Sequence, residues 1–303
     1  MGTPRFAVPS LRTLLEYGHE VVAVFTQPDR PAGRDRAARP SAVKQFAVEH
    51  GIVVEQPQKL RDPAAIELVR AWAPELIAVA AYGKILPKVL LELPRRGAIN
   101  VHGSLLPRHR GAAPIQRALL AGEPSTGITI MQMNEGMDTG DILLQEETPI
   151  RPDDTSVSLA ERLAEIGARL LVEALARLQR GELVARKQDD ALATLAPMVR
   201  KEEGAIDWSR SAVEIERAVR AFTPWPGAYT TLGGKLLKVH RAAVGPAASS
   251  AAGTVERASG DEIQVATGNG LLRLLEVQLE SKRRLAARDF LAGQLLRVGD
   301  KLG

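Results

Sequence analysis

The sequence predicts an α/β protein, a doubly wound and mostly parallel sheet, followed by a small antiparallel β-barrel. Two observations predict it. In the first half, apolar strand-like runs alternate with stretches of helical periodicity, the pattern that builds a parallel sheet with crossover helices. Beyond about residue 203 the runs shorten and Gly-rich turns split them, which suits antiparallel strands closing into a barrel. A chain of 303 residues is long enough for two such cores.

The elements follow in order. Leu11 to Tyr17 reads as a helix, Val21 to Phe25 as a buried strand and Ala42 to His50 as a second helix. Glu75 to Ala81, Ala98 to Val101, Gly127 to Met133 and Ile142 to Gln145 read as further strands. Asp154-Thr-Ser-Val-Ser opens a long helix, with Leu159, Leu163, Ile166 and Leu170 about one turn apart, ending near Gly181. This bounds a first domain at 1–181. Residues 182–202 are polar and unperiodic and read as a linker. The second domain, 203–303, begins with a helix opened by the capping-box pattern Ser211-Ala-Val-Glu214. Ile215, Val219 and Phe222 line one side of it, and Pro224 and Pro226 stop it. Leu236–Val239, Gly253–Val255, Ile263–Ala266 and Leu271–Leu279 are the barrel strands. Ala247-Ala-Ser-Ser-Ala-Ala252 reads as a flexible loop.

Composition excludes several classes. Hydrophobic residues make up 45% and charged residues 25%, as in ordinary globular proteins. No apolar run approaches the roughly 20 residues of a membrane span, so no membrane partner is expected. With no cysteine, disulfides, thiolate metal sites and thiol nucleophiles are excluded, and a cytoplasmic address is permitted and expected. The five histidines show no metal-ligand spacing, and the glycines form no dinucleotide or phosphate-loop fingerprint. Neither a metal nor NAD or ATP is implied. Residues 203–303 carry a net +3 and residues 1–202 a net +1, a modest basic bias that suits a polyanionic partner.

Chemistry concentrates in Ala98-Ile-Asn-Val-His102 and in Gly136-Met-Asp-Thr-Gly-Asp141. On a strand, Ile99 and Val101 face one way while Asn100 and His102 share the other face. An amide beside an imidazole suits the oxyanion that forms when a carbonyl carbon is attacked. An aspartate on a nearby Gly-rich loop can fix the imidazole or take a proton. Spacing alone leaves Asp138 and Asp141 as alternatives. No Ser or Cys sits at a nucleophile elbow, so direct transfer between two bound substrates fits better than covalent catalysis.

The run Asn100 to Pro114, the Met-Asp-Thr-Gly-Asp run and Ala81-Tyr-Gly-Lys-Ile-Leu-Pro87 together resemble the formyltransferases that use 10-formyltetrahydrofolate. Arg110-Gly-Ala-Ala-Pro-Ile-Gln116, Gln27-Pro-Asp-Arg-Pro-Ala-Gly33 and Phe222-Thr-Pro-Trp-Pro-Gly-Ala228 resemble the methionyl-tRNA formyltransferase family within that group. The resemblance runs the length of the chain. It implies a Rossmann-like formyltransferase domain, an OB-like barrel that binds tRNA, and formylation of methionyl-initiator tRNA. It also implies Asn100, His102 and Asp138 as the catalytic set, with the catalytic carboxylate first in Asp-Thr-Gly-Asp. A donor pocket is expected around Tyr82, Gly83, Ser104, Leu105, Leu106 and Pro107, with Ile85 and Leu86 as apolar walls. The implied tRNA contacts are Arg34, Arg36 and Arg39 in a basic loop and Lys201 near the domain junction, with Lys282, Arg283 and Arg284 as further phosphate candidates. A small amine such as a nucleotide sugar is the alternative acceptor, against which the basic loop and the barrel both argue. A monomer is expected.

Members of that family place an apolar strand before the Gly-Thr-Pro that here follows Met1 directly. The expectation is a native start upstream of Met1. The chain as written is expected to carry a slot in the core and unpaired backbone groups beside it.

Overall fold

The computed structural model describes residues 1–31, 38–293 and 296–303, in two compact units. The first comprises Met1–Pro114, Ser125–Pro149 and Ala160–Pro197, and the second Ile115–Pro124, Ile150–Leu159 and Met198–Gly303.

In the first unit, helix α1 (Val8–Glu16) leads to β1 (Val24–Phe25), which pairs in parallel with β4 (Val54–Glu55). Between them lie a short antiparallel pair, β2 (Arg30–Pro31) and β3 (Ala38–Arg39), and helix α2 (Ala42–Glu49). Ser41 caps α2 by accepting the Lys44 N–H at 3.0 Å. Helix α3 (Pro63–Trp72) precedes β5 (Ile77–Ala80), and α4 (Lys88–Glu92) precedes β6 (Ala98–His102). The chain continues through helix α5 (Pro114–Ala121), which apart from Pro114 belongs to the second unit. It returns as β7 (Ser125–Gln132), β8 (Ile142–Pro149) and the 25-residue α6 (Ser156–Arg180), of which Ala160–Arg180 lies in the first unit. The strand order is β5-β6-β7-β8, with β5 parallel to β6. The β6/β7 and β7/β8 ladders are antiparallel, a departure from a purely parallel sheet. The short connection from β7 to β8 explains the second of these, because a parallel return needs a crossover of a dozen residues or more.

Val21–Phe25 was expected as a five-residue strand, but only Val24 and Phe25 are paired. The reason lies beside it. A cavity of about 580 Å³ opens between Val21–Phe25 and Leu76–Ala80, walled by Leu11, Leu14, Leu171 and Leu175. Met1 and Gly2 fill one end of this slot. The Gly2 N–H donates to the Phe25 carbonyl at 3.0 Å and the Ala80 N–H to the Met1 carbonyl at 2.9 Å. The Met1 ammonium donates to the Ala78 carbonyl at 2.7 Å, and burial pulls its pKa down to about 5.

In the second unit, the expected capping box is present: Ser211 Oγ accepts the Glu214 N–H, and Glu214 Oε2 accepts the Ser211 N–H. It opens α7 (Ala212–Ala221), whose Ala212, Ile215 and Val219 bury against the barrel. The strands are β9 (Ala228–Leu232), β10 (Lys235–Val244), β11 (Val255–Ser259), β12 (Glu262–Ala266), β13 (Leu271–Leu279) and β14 (Leu285–Ala286), before α8 (Ala287–Gly293). Their order is β11-β12-β13-β10-β9, all antiparallel, with β14 on β13. Leu302 bridges to Leu232 of β9 and Lys301 to Thr254 beside β11, so the last residues join the two edges into a barrel. Its core includes Trp208, Leu237, Val255, Leu274, Val277 and Phe290.

Candidate active site

β6 sets the site. Its backbone pairs with β5 on one edge and β7 on the other, so its side chains stand off the two faces. Ile99 and Val101 bury on one face. Gly167 of α6 lies against Val101, where a Cβ would meet Val101 Cγ1 at 2.6 Å, so glycine permits that close approach. Asn100 and His102 take the other face, in register with Met131 and Thr129 of β7.

His102 is 5% exposed. Its Nε2 lies 3.0 Å from the His109 carbonyl oxygen, and its Nδ1 lies 3.7 Å from Asp138 Oδ2. A carbonyl only accepts, so the neutral ring carries its proton on Nε2 and turns the Nδ1 lone pair toward the carboxylate. The 3.7 Å gap is too long for a direct hydrogen bond. The Nδ1 lone pair and the carboxylate thus face each other across this gap. Asn100 is half-buried, and its side-chain amide makes no hydrogen bond among the described residues.

Asp138 adopts φ +54°, a left-handed conformation that aspartate tolerates better than most residues. Its Oδ2 accepts the Gly111 N–H at 2.8 Å. Between the two aspartates that spacing left open, Asp138 is the one whose carboxylate faces His102. Asp141 instead gives its carbonyl to the Gln132 N–H in the sheet.

The loop after β6 is fastened from below. Thr129 Oγ1, fully buried, donates to the Ser104 carbonyl at 2.7 Å and accepts from Leu106 N–H and Gln145 Nε2. Gln145 also holds the Leu106 carbonyl at 2.8 Å, and Ser104 Oγ donates to the Arg108 carbonyl. Ser104 and Leu106 are therefore structural pins, buried below the surface, while Leu105 and Pro107 are half-buried and keep side-chain surface for a ligand. Tyr82 turns its ring into the core with Phe25, Val79 and Leu90, and burial pushes its hydroxyl up to about 12. The Tyr82 carbonyl accepts from Thr3 Oγ1 and Gln27 Nε2, and the Gly83 carbonyl also accepts from Gln27. Ile85 is 78% exposed and Leu86 buried. Of the basic candidates, Arg34 and Arg36 lie outside the described residues, while Arg39 and Lys201 are exposed on their own units. Arg284 pairs with Glu276. No group of three His, Asp or Glu side chains among the described residues is placed to hold a metal ion.

Sequence reading missed what holds Asp138 in place. Residues 182–197 read as linker, yet they belong to the first unit and lie along the site. Gln188 Nε2 donates to the Asp138 and Gly140 carbonyls at 2.8 and 2.7 Å. Arg110 donates its N–H to the Thr194 carbonyl and accepts the Ala196 N–H, the Ala113 N–H donates to the Ala196 carbonyl, and Gly111, at φ +128°, faces that same carbonyl.

The N-terminal formyl transferase domain matches residues 1–175, and the formyl transferase C-terminal domain matches residues 198–295. The methionyl-tRNA formyltransferase of Citrifermentans bemidjiense is 54% identical over 303 residues, covering 100% of this chain and 95% of the relative. That of Myxococcus xanthus is 51% identical over 301 residues, covering 99% and 96%. Among solved structures, the N-formyltransferase of Helicobacter canadensis, in complex with folinic acid and dTDP-3-aminofucose, aligns with TM-score 0.67 at 17% identity, covering 94% of this chain and 97% of the other. HypX of Aquifex aeolicus, in complex with tetrahydrofolic acid, aligns with TM-score 0.61 at 19% identity, over 84% of this chain but only 45% of that longer protein. These two share the fold, whereas the full-length relatives at half identity share the family. With both formyl transferase domains matched and such relatives along its whole length, the chain belongs to the methionyl-tRNA formyltransferase family.

Proposed function

We infer that the chain transfers the formyl group of 10-formyltetrahydrofolate to the free amino group of methionyl-initiator tRNA, giving N-formylmethionyl-tRNA for translation initiation. The observation that carries the mechanism is buried His102, facing the half-buried Asp138 carboxylate at 3.7 Å, on the same strand face as the uncommitted Asn100 amide. The amine nitrogen attacks the formyl carbon, the C–N bond forms, and the carbonyl oxygen becomes an anion. Asn100 donates its amide N–H to that oxygen, a contact worth about 2–4 kcal/mol by comparison with single oxyanion-hole donors. His102 Nδ1 takes the proton that the amine loses, and the Asp138 carboxylate stabilises the imidazolium. The bond from the formyl carbon to N10 then breaks, and the same proton goes to N10. Atoms and charge balance without a covalent enzyme intermediate. Leu105, Pro107 and the backbone near Tyr82 and Gly83 line the donor seat.

Arg39 of β3 and Lys201, with Arg34 and Arg36 a few positions before Arg39 in the sequence, meet the tRNA phosphates or stack on its unpaired end. A small-amine acceptor has less support, because the sugar formyltransferases share the fold at 17–24% identity whereas the full-length relatives are tRNA formyltransferases. Asp138→Asn tests the site. Turnover is expected to collapse while the affinity for methionyl-tRNA, measured by filter binding, stays as in the parent. Equal losses in both would remove Asp138 from the chemistry.

A further inference from the structure

Asp138 lies at the centre of a closed ring of contacts that no local sequence motif announces. Gln188 spends all four of its hydrogen-bonding positions. The two N–H groups of its amide go to the carbonyls of Asp138 and Gly140, at 2.8 and 2.7 Å. Its Oε1 accepts from Arg110 Nε at 3.0 Å and Nη2 at 2.7 Å. Arg110, 7% exposed, also reaches Asp190 at 2.7 Å. The residue after Arg110 is Gly111, whose N–H returns to Asp138 Oδ2 at 2.8 Å. The ring thus runs from the Asp138 main chain through Gln188 and Arg110 to Gly111, and back to the Asp138 carboxylate. Because Arg110 can only donate and the two carbonyls can only accept, the Gln188 amide has one allowed orientation.

This ring fixes both ends of a residue held at positive φ, and with it the 3.7 Å separation from His102. We propose that Gln188 is a positioning residue for formyl transfer: with Arg110 it holds the Asp138 carboxylate at the distance where it stabilises a protonated His102. The proposal rests on the reading of Asp138 as part of the proton-transfer pair. Gln188 touches neither substrate in this scheme, so its loss acts on the chemical step. A displacement near 1 Å at a reacting group can lower a rate by roughly 100-fold.

The test is a double-mutant cycle in the full chain, read as steady-state formylation of methionyl-tRNA over a range of each substrate, with single-turnover rates for the chemical step. Gln188→Ala is expected to lower kcat about 10- to 100-fold with KM for both substrates within twofold of the parent. In an Asp138→Asn background the same substitution is expected to change the residual rate less than twofold, because its route to the chemistry is already gone. A merely structural role gives the opposite pattern: the losses multiply in the double variant, or KM rises along with the fall in kcat. Either result, or a parent-like kcat in Gln188→Ala, overturns the proposal. Asp138→Asn alone retaining parent activity would instead refute the reading of Asp138 itself. If Gln188→Ala does not fold, as judged by circular dichroism, Gln188→Glu keeps the volume and the Arg110 contact while setting a carboxylate against two carbonyls, and the same cycle is read with it.

Discussion

Gly111 offers the sharpest test of how the segment 182–197 supports the site. Its φ is +128°, and a Cβ there would lie 2.6 Å from the Ala196 carbonyl oxygen. That oxygen accepts the Ala113 N–H at 3.1 Å, so it cannot retreat without breaking a backbone hydrogen bond. Gly111→Ala therefore meets two penalties. A residue with a side chain at this φ costs about 1–3 kcal/mol, and overpacking against fixed backbone costs about 1–3 kcal/mol more. The sum is about 2–6 kcal/mol, a large part of the 5–15 kcal/mol that holds a typical domain together. The chain has two ways to respond: it can bear the strain, or it can release the segment around Ala196. The first appears as a lower urea midpoint with an unchanged slope. The second appears as faster proteolysis near residues 186–196 and a fall in kcat, because the Gly111 N–H no longer meets Asp138. Urea denaturation and kcat measured on the same preparation separate the two. A variant within 0.5 kcal/mol of the parent with unchanged kcat would refute the packing described here.

Asn100→Ala is expected to lower kcat about 100- to 1000-fold with little change in stability, since its amide holds no structural bond; parallel kcat and thermal-melt measurements check this. Thr129→Val removes a hydroxyl that makes three buried hydrogen bonds and leaves Leu106 N–H and Gln145 seeking partners, so a loss of about 2–4 kcal/mol in urea denaturation is expected.

The sequence made the strands with strong apolar runs legible, because period and burial coincide there: β5, β6, β7 and β13 lie within a few residues of the expected positions. The capping box at Ser211 was equally clear, since its signal is local. Helices α3, α4 and α5 went unread. α4 has only five residues, too few for a periodic signal, and α3 and α5 have eight to ten, each opening on a proline. The antiparallel turn of β7 and β8 was hidden because an apolar run gives no direction. Within the site, Asn100 and His102 were visible from strand alternation and Asp138 from its loop. Gln188 was not, because its role depends on contacts to Arg110, Asp138 and Gly140 that lie 48 to 78 positions away. A polar, unperiodic stretch looks the same whether it is a solvated tether or a strut whose polar groups are all matched by backbone.

The most direct test of the central claim is transfer of a labelled formyl group from 10-formyltetrahydrofolate to methionyl-initiator tRNA, with free methionine and an amino sugar nucleotide as competing acceptors. Label is expected on the α-amino group of the tRNA-bound methionine, with neither small amine formylated at a comparable rate. Label on the amino sugar in preference to the charged tRNA, or no transfer to either by folded protein, would contradict it.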